Sequence, residues 1–293
     1  MFKKIFDPRL SLILSMTVFG TLGLFVRNIA VTSGEIALYR SVMAVGLIGA
    51  FMLLTKQKIA LKNVKKEAIL LLVSGIAMGF NWILLFEAYR YTTVSVATLS
   101  YYFAPVIVTV ACPILFKEKL TIKQIVCFAF STVGIVLITG IGNIGGGRHW
   151  IGILLGLGAA VLYATVVLLN KFIRNVEGIQ RTFWQFLSAM VVLIPYVLLT
   201  NGITIGNLNG VGWVSLLIVG VVHSGIAYCL YFSAIHNLPG QQAALLSYVD
   251  PLVAVLISVT ILDETMTVMQ IVGGALILGF TLWNELSPGG RQK

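Results

Sequence analysis

The sequence predicts an all-α polytopic membrane protein, with ten transmembrane helices arranged as two five-helix repeats of inverted topology. Three observations support this prediction: the composition, a series of long apolar runs, and an internal repeat. Of the 293 residues, 58% are hydrophobic and only 10% are charged, and the mean hydropathy is +0.99. Soluble domains are about 25% charged, so the composition favours an integral membrane protein.

Apolar runs of membrane-spanning length follow one another along the whole chain. A helix needs about 20 such residues to cross a hydrocarbon core of roughly 30 Å. The first run follows three basic residues, as a signal peptide would, but it is long and lacks a small-residue cleavage site, so we take it as a span. Spans 1 to 10 are predicted at residues 10–30, 36–55, 68–90, 93–116, 123–141, 150–173, 182–200, 212–235, 241–262 and 267–285.

The positions of the positive residues support ten spans and predict their orientation. With the N-terminus in the cytoplasm, sixteen of the twenty Lys and Arg residues lie on the cytoplasmic side, as the positive-inside rule requires. We therefore expect a multi-pass protein of the plasma (inner) membrane with both termini cytoplasmic. Because these flanking residues account for the net charge of +10, we expect a lipid bilayer and no nucleic acid as partner.

An internal repeat divides the chain into two halves, residues 1–145 and 146–293. A shift of 146 residues places residues 97–129 over 243–275 without a gap and leaves ten identical positions. Each half carries five predicted spans, so the second half enters the membrane from the opposite side, as in many alternating-access transporters. The loop KEKLTIK of the first half has lost every lysine in its counterpart DETMTVM, which we expect to be external.

Four ionisable side chains stand out inside the predicted spans: Arg40, Glu87, His223 and Asp250. Each costs roughly 2.5 to 3.5 kcal/mol near a helix centre and therefore needs a partner or a role. Counting 1.5 Å per residue from the nearest turn places Asp250 near the midplane and His223 about 7 Å further out, close enough for a water to join them. We expect both to couple protons, and Asp250 to bind substrate. The alternative is a protonated Asp250 hydrogen-bonded within the bundle.

Arg40 and Glu87 lie nearer the external ends of spans 2 and 3, at depths that differ by roughly 6 Å. We expect an ion pair or a gate contact between them, since pairing lowers the cost of burial. The alternative is that Arg40 receives a substrate carboxylate as a planar, two-pronged donor.

Pro105 and Pro251 are expected to kink spans 4 and 9, because a proline removes one helical hydrogen bond. The carbonyl that is freed at membrane depth needs protein or water as a partner. The kink beside Asp250 therefore predicts the wall of a polar cavity.

Aromatic and polar side chains at matching depths predict that this cavity accepts a small organic solute. Spans 3 and 4 carry Asn81, Trp82, Tyr101 and Tyr102 at mid-depth. The second half places Tyr228 and Tyr248 similarly.

The ten spans, the five-plus-five duplication and two P...E...Q signatures resemble the EamA-type branch of the drug/metabolite transporter superfamily. The signatures are Pro105, Glu118, Gln124 and Pro251, Glu264, Gln270. Arg40, in ALYRSVMA, also matches an arginine common early in the second span of that family, which implies a role in the fold or in gating.

The resemblance implies transport of small metabolites, often export of amino acids, through a central cavity lined by spans 1, 3, 4, 6, 8 and 9. Carried over residue by residue, it leads us to expect these cavity residues: Phe19, Asn81, Trp82, Tyr101, Tyr102, Tyr163, His223, Tyr228, Tyr248 and Asp250.

The predicted function is a secondary transporter that moves a small organic metabolite, an amino acid or a related compound, and exports it with proton coupling. A P-loop GxxxxGK[ST] is missing from the sequence, and so are HExxH and a recognisable nucleophilic set of serine, histidine and aspartate. We therefore expect neither an ATP-driven pump nor an enzyme, and neither a cofactor nor a metal. The alternative is a channel or membrane scaffold, with an intramembrane enzyme less favoured.

Overall fold

The computed structural model describes residues 7–56, 61–116, 121–139, 148–176, 178–200, 202–235, 238 and 246–285. Within these ranges all regular secondary structure is helical. The helices are α1 (Pro8–Gly20), α2 (Leu22–Val26), α3 (Ser33–Leu54), α4 (Leu61–Lys66), α5 (Ala68–Tyr91), α6 (Val94–Tyr101), α7 (Ala104–Phe116), α8 (Ile122–Thr139), α9 (His149–Phe172), α10 (Gly178–Thr200), α11 (Gly210–Leu217), a π-helix (Ile218–Ile226), α12 (Ala227–Ile235), α13 (Val249–Thr260) and α14 (Val268–Glu285). Glu118 of the first signature lies outside the described residues.

Six segments of the described chain are long and apolar enough to cross a membrane, and they match predicted spans 1, 2, 3, 6, 7 and 8. They are Pro8–Val26, Ser33–Leu54, Ala68–Tyr91, His149–Phe172, Gly178–Thr200 and Gly210–Tyr231. Shorter apolar helices occupy the positions of the other four spans: Val94–Val108, Ile122–Ile138, Val249–Thr260 and Val268–Asn284. The all-helical class is confirmed, and the count of ten spans stays a prediction.

Spans 4 and 9 are interrupted at equivalent positions, just before their prolines. In span 4, α6 ends at Tyr101 and α7 begins one residue before Pro105. In span 9, Tyr248 forms a turn and α13 begins two residues before Pro251. A proline cannot donate to the carbonyl four residues back, so each interruption falls where a helical hydrogen bond is lost.

Span 8 changes conformation along its length, from α11 through a π-helix to α12. Within the π-helix, the Ser224 hydroxyl donates to the Val219 carbonyl at 3.0 Å, and the His223 Nδ1 lies 3.2 Å from the Ile218 carbonyl oxygen. In both contacts the acceptor is the carbonyl five residues earlier in the chain, whereas in an α-helix such side chains contact the carbonyl four residues earlier. Such turns are rare and are frequently found at functional sites.

The signature glutamine of each half, together with a threonine three residues before it, begins the last helix of that half. Thr121 donates its backbone N–H to the Gln124 side chain at 2.8 Å, and the Gln124 N–H donates back to the threonine hydroxyl at 3.3 Å. Thr267 and Gln270 repeat the exchange at 2.9 and 3.2 Å. This is a capping box, so these identities are explained by the starts of α8 and α14.

Helices α8 and α14 pack directly against each other through glycine. A Cβ atom on Gly134 would lie 2.6 Å from the Gly273 carbonyl oxygen, and one on Gly273 would lie 2.5 Å from the Gly134 carbonyl oxygen. The rings of Phe130 and Phe280 stack with centroids 4.4 Å apart. Small residues allow membrane helices to approach this closely.

The substitution Gly273→Leu is expected to lower the free energy of unfolding by about 1–3 kcal/mol, because the added side chain forces α8 and α14 apart. Gly279→Leu, on the same helix but with nothing near its Cβ position, provides the matched control and should change little. Thermal unfolding of the purified variants in detergent measures both. Equal unfolding temperatures for the two variants would contradict the close contact.

A buried carboxylate ties the connection after span 2 to the connection after span 6. Glu67 accepts hydrogen bonds from the Asn175 side chain at 2.5 Å and from the backbone N–H groups of Arg174 and Asn175, both at 3.3 Å. The hydrogen bond from the Asn175 side chain is the main cause that holds the pKa of the Glu67 carboxyl below its usual value, and burial opposes it.

Acid is expected to remove the stability that Glu67 contributes. A carboxyl with a lowered pKa stabilises the fold above its unfolded-state pKa, and this contribution disappears as the pH falls through the folded-state pKa. Glu67→Gln should therefore unfold at a lower temperature than the wild type at pH 7, and the difference should shrink at acid pH. A difference that does not change with pH would contradict the stabilising role of the charge. Asn175→Ala should reproduce the loss at pH 7.

Candidate functional site

A cavity of about 540 Å³ lies among the helices and is lined by residues from both halves of the chain. Eight of the ten residues that we expected in the cavity lie on its surface: Phe19, Trp82, Tyr101, Tyr102, Tyr163, Tyr228, Tyr248 and Asp250. Arg40 and Pro105 line it as well. The cavity therefore combines aromatic rings with two opposite charges.

Asp250 lies at the point where the two interrupted spans meet. The Tyr102 hydroxyl, in the interruption of span 4, donates to the Asp250 Oδ2 at 2.6 Å. Span 1 passes directly behind, since a Cβ atom on Gly20 would lie 2.5 Å from the Asp250 carbonyl oxygen. The helix break before Pro251 thus exposes this carboxylate to the cavity, while its backbone is packed against α1.

Arg40 enters the cavity from α3 and is held by polar and aromatic neighbours. Its side chain is 3% exposed, and its Nε donates to the Ser224 hydroxyl at 2.8 Å. The central guanidinium carbon lies 4.6 Å from the centroid of the Trp82 ring and 5.8 Å from that of Phe86. Rings at these distances attract a cation.

The expected pair between Arg40 and Glu87 is not formed. Glu87 accepts a hydrogen bond from the Ser33 hydroxyl at 2.6 Å and lies 3.8 Å from Arg90. Arg40 forms no ion pair with any carboxylate in the described part of the chain. The depths of the two residues match, but Arg40 faces the cavity and the π-helix, whereas Glu87 faces the start of α3.

Two of the expected cavity residues lie away from its surface. His223 is fully buried against span 1, with its Nε2 2.9 Å from the Thr21 hydroxyl and its ring packed on Phe25. Asn81 donates to the Ala159 carbonyl at 2.6 Å and so joins α5 to α9. The water-mediated approach of His223 to Asp250 is therefore not supported, because the ring faces another helix.

Span 7 contributes a wall of the cavity that the expected set of spans omits. Arg181, Thr182 and Gln185 on α10 line the cavity together with Asn170 on α9. Gln185 donates to the Asn170 side chain at 2.8 Å and to the Ser74 hydroxyl at 2.9 Å. The spacing of three and four residues between these polar positions places them on one helix face, and this was the signal available in the sequence.

The two ends of the cavity differ. Gly178 lines the cavity and is exposed, so the cavity reaches the surface at the start of α10. Towards the other end the lining stops at Leu22, Tyr89 and Thr98.

Beyond that closed end lies the Glu264 cluster, which we define as Arg27, Thr92, Val94, Ser258 and Glu264. Glu264 forms an ion pair with Arg27 and accepts hydrogen bonds from the Ser258 hydroxyl and from the Val94 N–H, the last at 2.8 Å. Arg27 also donates to the Thr92 carbonyl at 2.8 Å. The cluster joins the end of span 1 and the turn between spans 3 and 4 to the connection between spans 9 and 10.

Comparison with known proteins assigns the chain to a protein family. The profile of the EamA-like transporter family matches the chain twice, over residues 9–140 and 150–284. The chain belongs to the EamA-like transporter family. The expected resemblance is thereby confirmed, and this family member is a multi-pass membrane transporter with one family repeat in each half.

Individual relatives agree with the family assignment. An uncharacterized transporter of Bacillus subtilis (strain 168), YxxF, is 28% identical over 255 residues, which cover 85% of this chain and 79% of the relative. An uncharacterized transporter of Archaeoglobus fulgidus is 27% identical over 282 residues, which cover 94% and 96%. A crystal structure of another protein, 18% identical, superimposes with a TM-score of 0.66 over 94% of this chain and 95% of that one, and this likeness shows the fold.

Proposed function

We propose that this EamA-like transporter moves a small zwitterionic metabolite, an amino acid or a close relative, by alternating access. The observation that carries the proposal is that Asp250 and Arg40 line the same cavity without forming an ion pair with each other. Buried charges in membrane proteins normally pair with one another. A solute that carries one carboxylate and one ammonium group completes both pairs.

The rest of the cavity suits such a solute. The aromatic rings offer faces for a cation and an apolar side chain, and Asp250 attracts the ammonium group. A volume of about 540 Å³ falls within the range of roughly 300–1,000 Å³ that small-molecule sites occupy. The polar residues of α10 line the same cavity and offer hydrogen bonds to solutes longer than the smallest amino acids.

Export is the direction that we propose. With the orientation predicted from the positive residues, the exposed mouth at Gly178 faces the cytoplasm, and the Glu264 cluster faces outward. A cavity that is accessible from the cytoplasm accepts the cytoplasmic solute. Asp250 is the proposed proton carrier, since a carboxylate in an alternately exposed cavity can bind a proton on one side and release it on the other.

Counterflow in proteoliposomes tests the proposal. Vesicles preloaded with each standard amino acid should accumulate the same labelled amino acid in at least one case. For matched ligands such as phenylalanine, phenethylamine and 3-phenylpropionate, loss of either charge should weaken competition by about tenfold or more, since charged hydrogen bonds contribute roughly 1.5–3 kcal/mol. Accumulation of no amino acid, or equal competition by all three ligands, would contradict the proposal. A channel would give no counterflow.

A further inference from the structure

The guanidinium of Arg40 is fixed in a single orientation. Its five N–H donors lie in one plane, so two contacts are enough to set the direction of the remaining donors. Ser224 accepts from Nε at 2.8 Å, and Trp82 covers the plane at 4.6 Å. A hydrogen bond with Tyr228, another cavity residue, holds the group further.

The π-helix gives Ser224 a defined acceptor direction. A serine hydroxyl has one hydrogen and two lone pairs, and the hydrogen of Ser224 is used in the bond to the Val219 carbonyl. The lone pairs are therefore available to Arg40. A π-turn contains more residues than an α-turn, so the residues of this segment are rotated about the helix axis relative to a regular α-helix, and this rotation turns Ser224 towards α3.

The occupied Nε determines how an anion can approach Arg40. A carboxylate binds guanidinium with two parallel hydrogen bonds, either side-on through Nε or end-on through Nη1 and Nη2. Ser224 blocks the side-on approach, and Trp82 blocks one face. The four N–H donors of Nη1 and Nη2 are left for Tyr228 and for an anion in the cavity.

We propose that Ser224 is a positioning residue, which holds Arg40 so that its Nη1 and Nη2 receive the carboxylate of the transported solute end-on. This inference rests on the proposed function, and it assigns to the π-helix of span 8 a role in substrate specificity. Ser224 itself does not touch the solute. It acts by fixing the guanidinium of Arg40, which contacts the carboxylate of the solute.

The test compares Ser224→Ala, Ser224→Thr and Ser215→Ala. The first removes the acceptor, the second keeps the hydroxyl, and the third changes another buried serine of span 8 that lies away from the cavity. Phenylalanine, phenethylamine and 3-phenylpropionate serve as probes, because they share one ring and differ in charge. Binding is measured as thermal stabilisation in detergent over a range of probe concentrations.

The expected result is selective for the carboxylate. Ser224→Ala should weaken phenylalanine and 3-phenylpropionate by about tenfold and leave phenethylamine unchanged, whereas Ser224→Thr and Ser215→Ala should bind all three like the wild type. A parallel loss for all three probes, or unchanged binding of both carboxylates, would overturn the inference.

The outcome for the wild type separates the inference from the proposed function. If 3-phenylpropionate binds as well as phenylalanine, the zwitterion proposal fails, while the effect of Ser224→Ala on the acid still decides the role of Ser224. If the wild type binds only phenethylamine, both proposals are overturned. If it binds none of the three probes, the amino acid that accumulates in counterflow replaces phenylalanine, together with its own amine and acid analogues, and the absence of any such amino acid overturns both proposals.

Discussion

Asp250→Asn is expected to reduce the exchange of a zwitterionic solute by about 10- to 100-fold, because it removes the charge that pairs with the ammonium group. Asparagine keeps the size of the side chain and an oxygen that can accept from the Tyr102 hydroxyl, so the helix contact survives. The initial rate of counterflow in proteoliposomes measures the effect. Exchange at the wild-type rate would leave Asp250 as a structural group, which is the alternative that its position in the sequence also allows.

Tyr102→Phe separates the hydrogen bond from the charge. It removes the bond to Asp250 and leaves the carboxylate, so we expect the exchange rate to fall only several-fold, in line with about 1 kcal/mol for a single hydrogen bond.

Substrate-driven proton movement should also disappear in Asp250→Asn. Proton movement that persists unchanged in that variant would contradict proton coupling through this residue.

The fold class followed from the sequence because a bilayer imposes strong and simple constraints on composition and helix length. The signature residues were less transparent. Pro105 and Pro251 mark the interruptions of spans 4 and 9, and Gln124 and Gln270 belong to capping boxes. These roles depend on backbone geometry, whereas the repeat shows only that the same residues recur at equivalent positions of the two halves.

The depth of the site residues along their spans could be predicted from the sequence, but the directions of their side chains were much harder to predict. A rise of 1.5 Å per residue gave similar depths to Arg40 and Glu87, yet their side chains leave their helices on different faces. The direction of the His223 side chain could not be predicted for another reason. His223 lies in the π-helix, where the angle between successive residues departs from that of an α-helix. No periodicity of the sequence reveals that change.

Span 7 was missed for a different reason. Gln185 and Thr182 read as isolated polar residues at the start of an apolar run, and the family resemblance placed the cavity on other spans. Their shared face becomes meaningful only when Asn170 on α9 lies opposite. Contacts between helices distant in sequence therefore decide which polar residues reach the cavity.

Opening of the closed end of the cavity is expected to depend on Glu264. The Glu264→Gln variant keeps an oxygen that can accept from the Val94 N–H but loses the ion pair with Arg27, so it isolates the charge. A cysteine placed at Thr98, between the cluster and Asp250, should then react about fivefold faster with a membrane-impermeant maleimide added on that side, since a partly exposed pair of this kind contributes on the order of 1 kcal/mol. The measurement uses a background without native cysteines.

The charge swap and a nearby control sharpen this prediction. Arg27→Glu combined with Glu264→Arg restores opposite charges, but arginine cannot accept from Val94, so labelling should slow only part of the way back. Glu87→Gln, also near this end but paired with Ser33, should label like the parent. Equal rates in Glu264→Gln and Glu87→Gln would contradict a gating role. Because Glu264 belongs to the second half and Arg27 and Val94 to the first, alternating access would have to break and remake this cluster in every cycle, and its strength would limit how often this end of the cavity opens.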